Sequence, residues 1–229
     1  MKPKLLHLLI LAALISLSVT AFLFANGTTT SFETFRSPLT DNPPAPGETL
    51  GQPAARRVVL VIIDGLRLDT SLDTNLMPIL AELRAAGASA PSRSRTPSYS
   101  LPGYATLLTG AWPDLHSGPA FNTAFEQIPA LTQDTIFATL HDQGIPTAIA
   151  AYYWFGALLP PEVVDRGFFD PDDDRAADER VMAAALPWLD DPDNRFILIH
   201  IDQVDFAGHN EGGPRDARWE QAAQRADAY

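Results

Sequence analysis

The sequence predicts an α/β layer sandwich around a central, mostly parallel sheet, and three observations carry the prediction. The first is Val58-Val-Leu-Val-Ile-Ile63, a β-branched apolar run without helical period that stops at Asp64-Gly65. Such a run reads as a strand buried on both faces of a parallel sheet. The second is Phe196-Ile-Leu-Ile-His-Ile201, a run of the same kind leading into Asp202 and then Asp205-Phe-Ala-Gly-His209. The third is alternation, because helix-like amphipathic segments separate the strand-like ones. Ligands of open α/β sheets gather outside the carboxyl ends of the strands. Both runs therefore deliver acids, and one imidazole, to a common rim.

Taken in order, the chain opens with Lys2 and Lys4 ahead of Leu5 to Ala25, 21 residues without a formal charge. As a helix rising about 1.5 Å per residue, this covers roughly 30 Å, the thickness of a bilayer core. The basic flank stays on the cytoplasmic side, so the remainder is expected to be extracytoplasmic. Residues 1–25 fit either an uncleaved membrane anchor or a signal peptide, since small residues between Ala21 and Ala25 permit cleavage. Residues 26–56 are rich in Pro, Thr and Gly, including Asn42-Pro-Pro-Ala-Pro-Gly47, and read as an extended, solvated tether.

The folded part is expected over 57–229. Helices are predicted for Met77 to Ala86, Pro102 to Thr109, Leu131 to Gln143, Ala176 to Leu189 and Arg215 to Tyr229. Gly87, Gly110 and Gly144 serve as stop signals for the first three. A further strand is predicted for Pro146 to Ala151. Three strands are fewer than the about five or six of an average sheet. The last helix carries no stop signal, so the sandwich reads as truncated.

The hydrophobic share is 46% and the charged share 19%, enough for a sizeable core. A net charge of −12 argues against a nucleic-acid partner, which would select a basic footprint. The absence of cysteine excludes disulfides, thiolate metal sites, a cysteine nucleophile and a lipid anchor on cysteine.

Three segments offer chemistry. Asp205 and His209, four residues apart, face one way on a helical turn or meet in a tight loop, and carboxylate with imidazole suits zinc, manganese or iron. The same residues could equally be a turn cap and a surface histidine. Asp64 is a metal-ligand candidate by its place at a strand end, although Asp also ends strands for turn chemistry alone. Ser100 precedes Pro102 at a predicted helix start. It is either the helix cap or a nucleophile beside the anion-binding helix N-terminus. A serine hydroxyl needs a base or a metal to act, and an ion on Asp64 would provide it.

In order, Val58 to Gly65, Thr96-Pro-Ser-Tyr-Ser-Leu-Pro-Gly-Tyr-Ala-Thr-Leu-Leu-Thr-Gly110, Trp112-Pro-Asp-Leu-His116 and Asp205-Phe-Ala-Gly-His209 resemble the alkaline phosphatase superfamily. The likeness, over about 57–229, is to its type I phosphodiesterase/nucleotide pyrophosphatase branch. It implies an alkaline phosphatase-like layer sandwich and a phosphoester hydrolase acting on a small-molecule phosphodiester or pyrophosphate. It also implies Ser100 as the nucleophile, and two divalent metal ions, zinc foremost. Asp64 and Ser100 would hold one ion, Asp205 and His209 the other, with a phosphoseryl intermediate. Gly103 departs from the pattern, standing where the branch has an Asn after the Pro. The family's Asp-His-Gly segment and late His are also missing, so the chain alone is expected to be inactive. A sulfatase, whose motif carries Arg where Tyr104 stands, an ethanolamine-phosphate transferase and an inert anchored relative are the alternatives.

Other features carry a plainer expectation. His116 has no assigned role, and His200 reads as a satisfied sheet residue. Asp170 to Glu179 reads as a solvated loop entering a helix, because Arg175 and Val181 break a calcium-loop pattern. Tyr152-Tyr-Trp-Phe155 reads as packing.

Overall fold

The computed structural model describes residues 3–39, 41–42, 47, 51, 54–172 and 174–229. It is an α/β fold with a four-stranded, all-parallel sheet: β1 (Val58–Ile63), β2 (Thr147–Tyr152), β3 (Arg166–Asp170) and β4 (Phe196–Ile201), in the order β1-β4-β2-β3. The helices are α1 (Pro3–Glu33), α2 (Leu68–Ser71), α3 (Pro78–Ala86), α4 (Ser100–Thr109), α5 (Ile136–Asp142), α6 (Trp154–Leu158), α7 (Ala177–Asp190), α8 (Gln203–Asn210) and α9 (Ala217–Ala228).

Alternation along β4 explains the layers. Phe196 and Leu198 join Leu101, Tyr104, Phe137, Ile149 and Phe155 in a core beneath α4, α5 and α6. Ile197, Ile199 and Ile201 join Val181, Val204, Trp219 and Ala222 beneath α7, α8 and α9. Each of the buried Leu, Ile, Val and Phe side chains, removed from water, contributes about 1.5–3 kcal/mol. Both faces of β4 are therefore covered, and its six residues are all buried.

β1 behaves otherwise. It was expected to be buried on both faces, but it lies at the sheet edge with Val58, Val59 and Val61 exposed. Only Leu60, Ile62 and Ile63 meet the two cores. A continuous apolar run encodes a two-sided strand without saying where in the sheet it sits.

β3 escaped the sequence reading. It is five residues long, carries Gly167, and occupies the opposite edge. A short edge strand with glycine has little of the apolar continuity that marked its neighbours. Its last residue, Asp170, is buried and paired with Arg180 at 2.8 Å, so the acidic segment begins in the sheet before entering solvent.

Helix α1 also differs from expectation. It does not end at Ala25 but continues through the Thr-rich segment to Glu33. Thr28 donates to the Phe24 carbonyl at 2.9 Å, a back-bond that lets threonine stay helical. Its side chains are exposed, and it is long and apolar enough to cross a bilayer. The predicted tether thus begins only after Glu33, and its residues 40, 43–46, 48–50, 52 and 53 lie outside the described residues. The helix expected from Leu131 starts instead at Ile136, where the Thr135 hydroxyl accepts from the Ala138 amide.

Candidate active site

The parallel register of β1 and β4 pairs Ile62 with His200 and Ile63 with Ile201. The next amide, of Asp64, donates to the Ile201 carbonyl at 2.9 Å. Asp64 and Asp202 consequently leave the sheet side by side. Gly65 then turns with φ +69°, and a Cβ there would lie 2.6 Å from the Asp205 Cα. No side chain fits between the β1 turn and α8, which brings Asp205 up against the Asp64 turn. Asp205 and His209 lie one turn apart on α8, with His209 Nε2 3.5 Å from Asp205 Oδ2.

Helix α4 brings the third component. Ser100 is its first helical residue, while Tyr99 occupies the N-cap place and makes no side-chain cap bond. The cap reading of Ser100 is thereby replaced. Asn122 does the capping from a distant loop, its Oδ1 accepting the Leu101 amide at 3.0 Å. The Ser100 side chain, free of capping duty, lines the same cleft as Asp64 and Tyr104. Asp64, Ser100, Asn122, Asp205 and His209 line one cleft of about 870 Å³. All four residues singled out from the sequence thus face a common space. Thr29 and Glu33 from the end of α1 form part of its wall.

The Asp64 carboxylate is held from two sides. Its Oδ1 accepts the Gly65 amide at 2.9 Å, and its Oδ2 accepts the Tyr104 hydroxyl at 2.5 Å. Burial alone would raise its pKa, but the adjacent His200 and the Tyr104 and Ser100 hydroxyls outweigh it and bring it down to about 2. Burial, reinforced by the charges of Asp64 and Asp202, pushes the Tyr104 phenol well above its ordinary range, so it remains a donor.

His200 was expected to be a satisfied sheet residue, and the structure shows otherwise. Its Nε2 lies 3.0 Å from the Tyr104 hydroxyl, while its buried Nδ1 has no hydrogen-bond partner among the described residues. Asp64, His200 and Asp202 each present a ligand-type atom within 4.8 Å of the others. Tyr104, His200 and Asn122 stand beside these residues without being singled out by the sequence, and Asp202, expected only as an acid at the rim, joins them. The i, i+4 spacing of Ser100 and Tyr104 was the available signal for Tyr104. Asn122 offered none, because its role depends on a loop returning to α4.

Other candidates resolve as scaffold. His116 is buried below α4, its Nε2 3.1 Å from the Pro102 carbonyl and its Nδ1 accepting the Gly118 amide. Burial pushes its pKa down, so it serves as a neutral strut. Phe155 stacks on Tyr104 with ring centres 4.3 Å apart, a packing role for that part of the aromatic cluster.

Residues 58–229 match the family described as type I phosphodiesterase / nucleotide pyrophosphatase. The chain belongs to this family. Among solved structures, the fold is similar to phosphonoacetate hydrolase from Sinorhizobium meliloti 1021, seen in complex with phosphonoacetate and with phosphonoformate. In both, the TM-score is 0.59 at 21% identity, over 77% of this chain and 53% of the other. The phosphodiesterase-family chain thus spans about half the length of that hydrolase. No curated protein matches it. The donors in the cleft, carboxylate and hydroxyl oxygens with one imidazole nitrogen, fit the metal dependence of a hydrolase in this family. Oxygen and nitrogen ligands of this kind suit zinc and related divalent cations.

Proposed function

We propose that the protein is a metal-dependent phosphoester hydrolase, acting on a small-molecule phosphodiester or pyrophosphate with Ser100 as nucleophile. One observation carries the reading: Ser100, Asp64 and the Asp205–His209 pair line a single cleft. Asp64 and Ser100 would hold one divalent ion, and Asp205 and His209 a second, zinc suiting both donor sets. Bound there, such ions lower the proton affinity of a coordinated hydroxyl or water and offset phosphoryl charge.

The residues of the chain do the rest. Ser100 Oγ releases its proton to solvent and forms a bond to phosphorus as the ester oxygen opposite departs, and that oxygen takes up a proton from solvent. Water then cleaves the phosphoseryl bond and returns the hydroxyl. Asn122 presents its Oδ1 to the Leu101 amide, which leaves its Nδ2 to donate to a phosphoryl oxygen beside Ser100. It thus supplies the amide that Gly103 lacks. Tyr104 stands where a sulfatase carries Arg, and its hydroxyl is committed to Asp64, which favours phosphoester over sulfate ester.

The reading extends to location. Helix α1 would anchor the protein to the membrane, or serve as a signal peptide, with the cleft on the extracytoplasmic side. In the full-length protein, Ser100→Ala should abolish cleavage of bis-nitrophenyl phosphate while zinc binding persists. Normal rates from that variant would overturn the assignment.

A further inference from the structure

A buried hydrogen-bonded chain stands behind Asp64. Tyr104 is 3% exposed and His200 is inaccessible. A phenol has one hydrogen, and the 2.5 Å contact commits it to Asp64 Oδ2. The Tyr104 oxygen can then only accept from His200, so Nε2 carries the proton across the 3.0 Å contact. The buried Nδ1 has no hydrogen-bond partner among the described residues, so the chain ends at His200. Chains of this form polarise along their length and strengthen the terminal bond.

Packing holds the chain in place. The Tyr104 ring is stacked on Phe155 and meets the His200 ring edge-on at 5.1 Å. Phe155 also contacts the His200 ring at 5.1 Å. His200 faces this layer because alternate residues of β4 do, and its neighbours in the chain point the other way. Tyr104 lies one helical turn from Ser100, so α4 carries both the reacting hydroxyl and the donor that grips Asp64.

We infer that Tyr104, backed by His200, is a positioning residue that fixes the Asp64 carboxylate for metal binding and ties its orientation to that of Ser100. With Oδ1 on Gly65 and Oδ2 on Tyr104, the carboxylate plane is set and the remaining lone pairs are presented to the cleft. The inference rests on the proposed role of Asp64, but its readout is metal affinity, independent of turnover.

The test compares the full-length protein with Tyr104→Phe by zinc titration against a chelating dye and by the visible spectrum of the cobalt-loaded form. Loss of an outer hydrogen bond to a ligand lowers metal affinity by about 10–100-fold. A loss of about tenfold or more, with a changed cobalt spectrum, is expected. Tyr104→Phe leaves the His200 N–H without an acceptor, so Tyr104→Phe/His200→Leu is measured beside it and should show the same loss. A purely structural role for Tyr104 would lower thermal stability and leave affinity and spectrum unchanged in whichever variant folds, and that result overturns the inference. Failure of the unsubstituted protein to bind zinc or cobalt would overturn the metal reading of Asp64 as well.

Discussion

Gly65→Ala is the sharpest perturbation of the arrangement that unites the site. Gly65 adopts φ +69°, a conformation that costs an L-residue about 1–2 kcal/mol. Its added methyl would also lie 2.6 Å from the Asp205 Cα and 2.8 Å from the Asp205 amide nitrogen. Carbon atoms prefer roughly 3.5–4.0 Å, so α8 must retreat by about 1 Å. The obstacle is backbone, which no rotamer change relieves, and overpacking of this kind adds about 1–3 kcal/mol. The sum is a loss of about 2–5 kcal/mol, read by denaturant unfolding. The same retreat separates Asp205 and His209 from Asp64, and a displacement of about 1 Å can cost about a hundredfold in rate. Gly103→Ala is the control, because nothing lies within 4 Å of its added methyl. On helix propensity alone it should gain about 0.5–1 kcal/mol. Unchanged stability and turnover in Gly65→Ala would refute the close approach of the β1 turn to α8.

Two further outcomes follow from the electrostatics. The pKa of Asp64 in the folded protein is depressed from 3.8 to about 2, so its ionised form stabilises the fold above about pH 4. In metal-free protein this contribution, about 2 kcal/mol, should vanish as pH falls through about 2. Unfolding curves of Asp64→Asn should lack that acid-dependent loss, and an identical pH dependence in both proteins would contradict it. Asp178 accepts the amides of Asp202 at 2.8 Å and Gln203 at 3.3 Å, and so caps α8 from α7. Asp178→Ala should cost about 0.5–2 kcal/mol and weaken metal binding at the proposed Asp205–His209 site, whereas Asp178→Asn, which keeps an acceptor, should lose less. Burial pushes the Asp178 carboxyl up, so the charge itself contributes little to holding the cap.

Much of the fold was legible because β1, β2 and β4 are apolar runs with clear ends, and because the acids after β1 and β4 lie at one rim by parallel register. Ser100 and the Asp205–His209 spacing were legible because they are local patterns. The rest depended on tertiary placement. Nothing in Val58 to Ile63 distinguishes an edge strand from a central one. His200 looks like any polar residue within a strand until α4 lays Tyr104 across it. Asn122 acquires its role only when its loop meets the start of α4, leaving Ser100 free of capping duty. The Thr-rich end of α1 was read as irregular because threonine back-bonding to the preceding turn has no signature in composition.

The assignment of Ser100 is tested most directly by acid-quenching the full-length protein during turnover of a phosphodiester and mapping modified peptides by mass spectrometry. One phosphoryl-containing adduct on the peptide bearing Ser100, absent from Ser100→Ala, is the predicted result. Turnover without that adduct, or with the adduct on another residue, would contradict it.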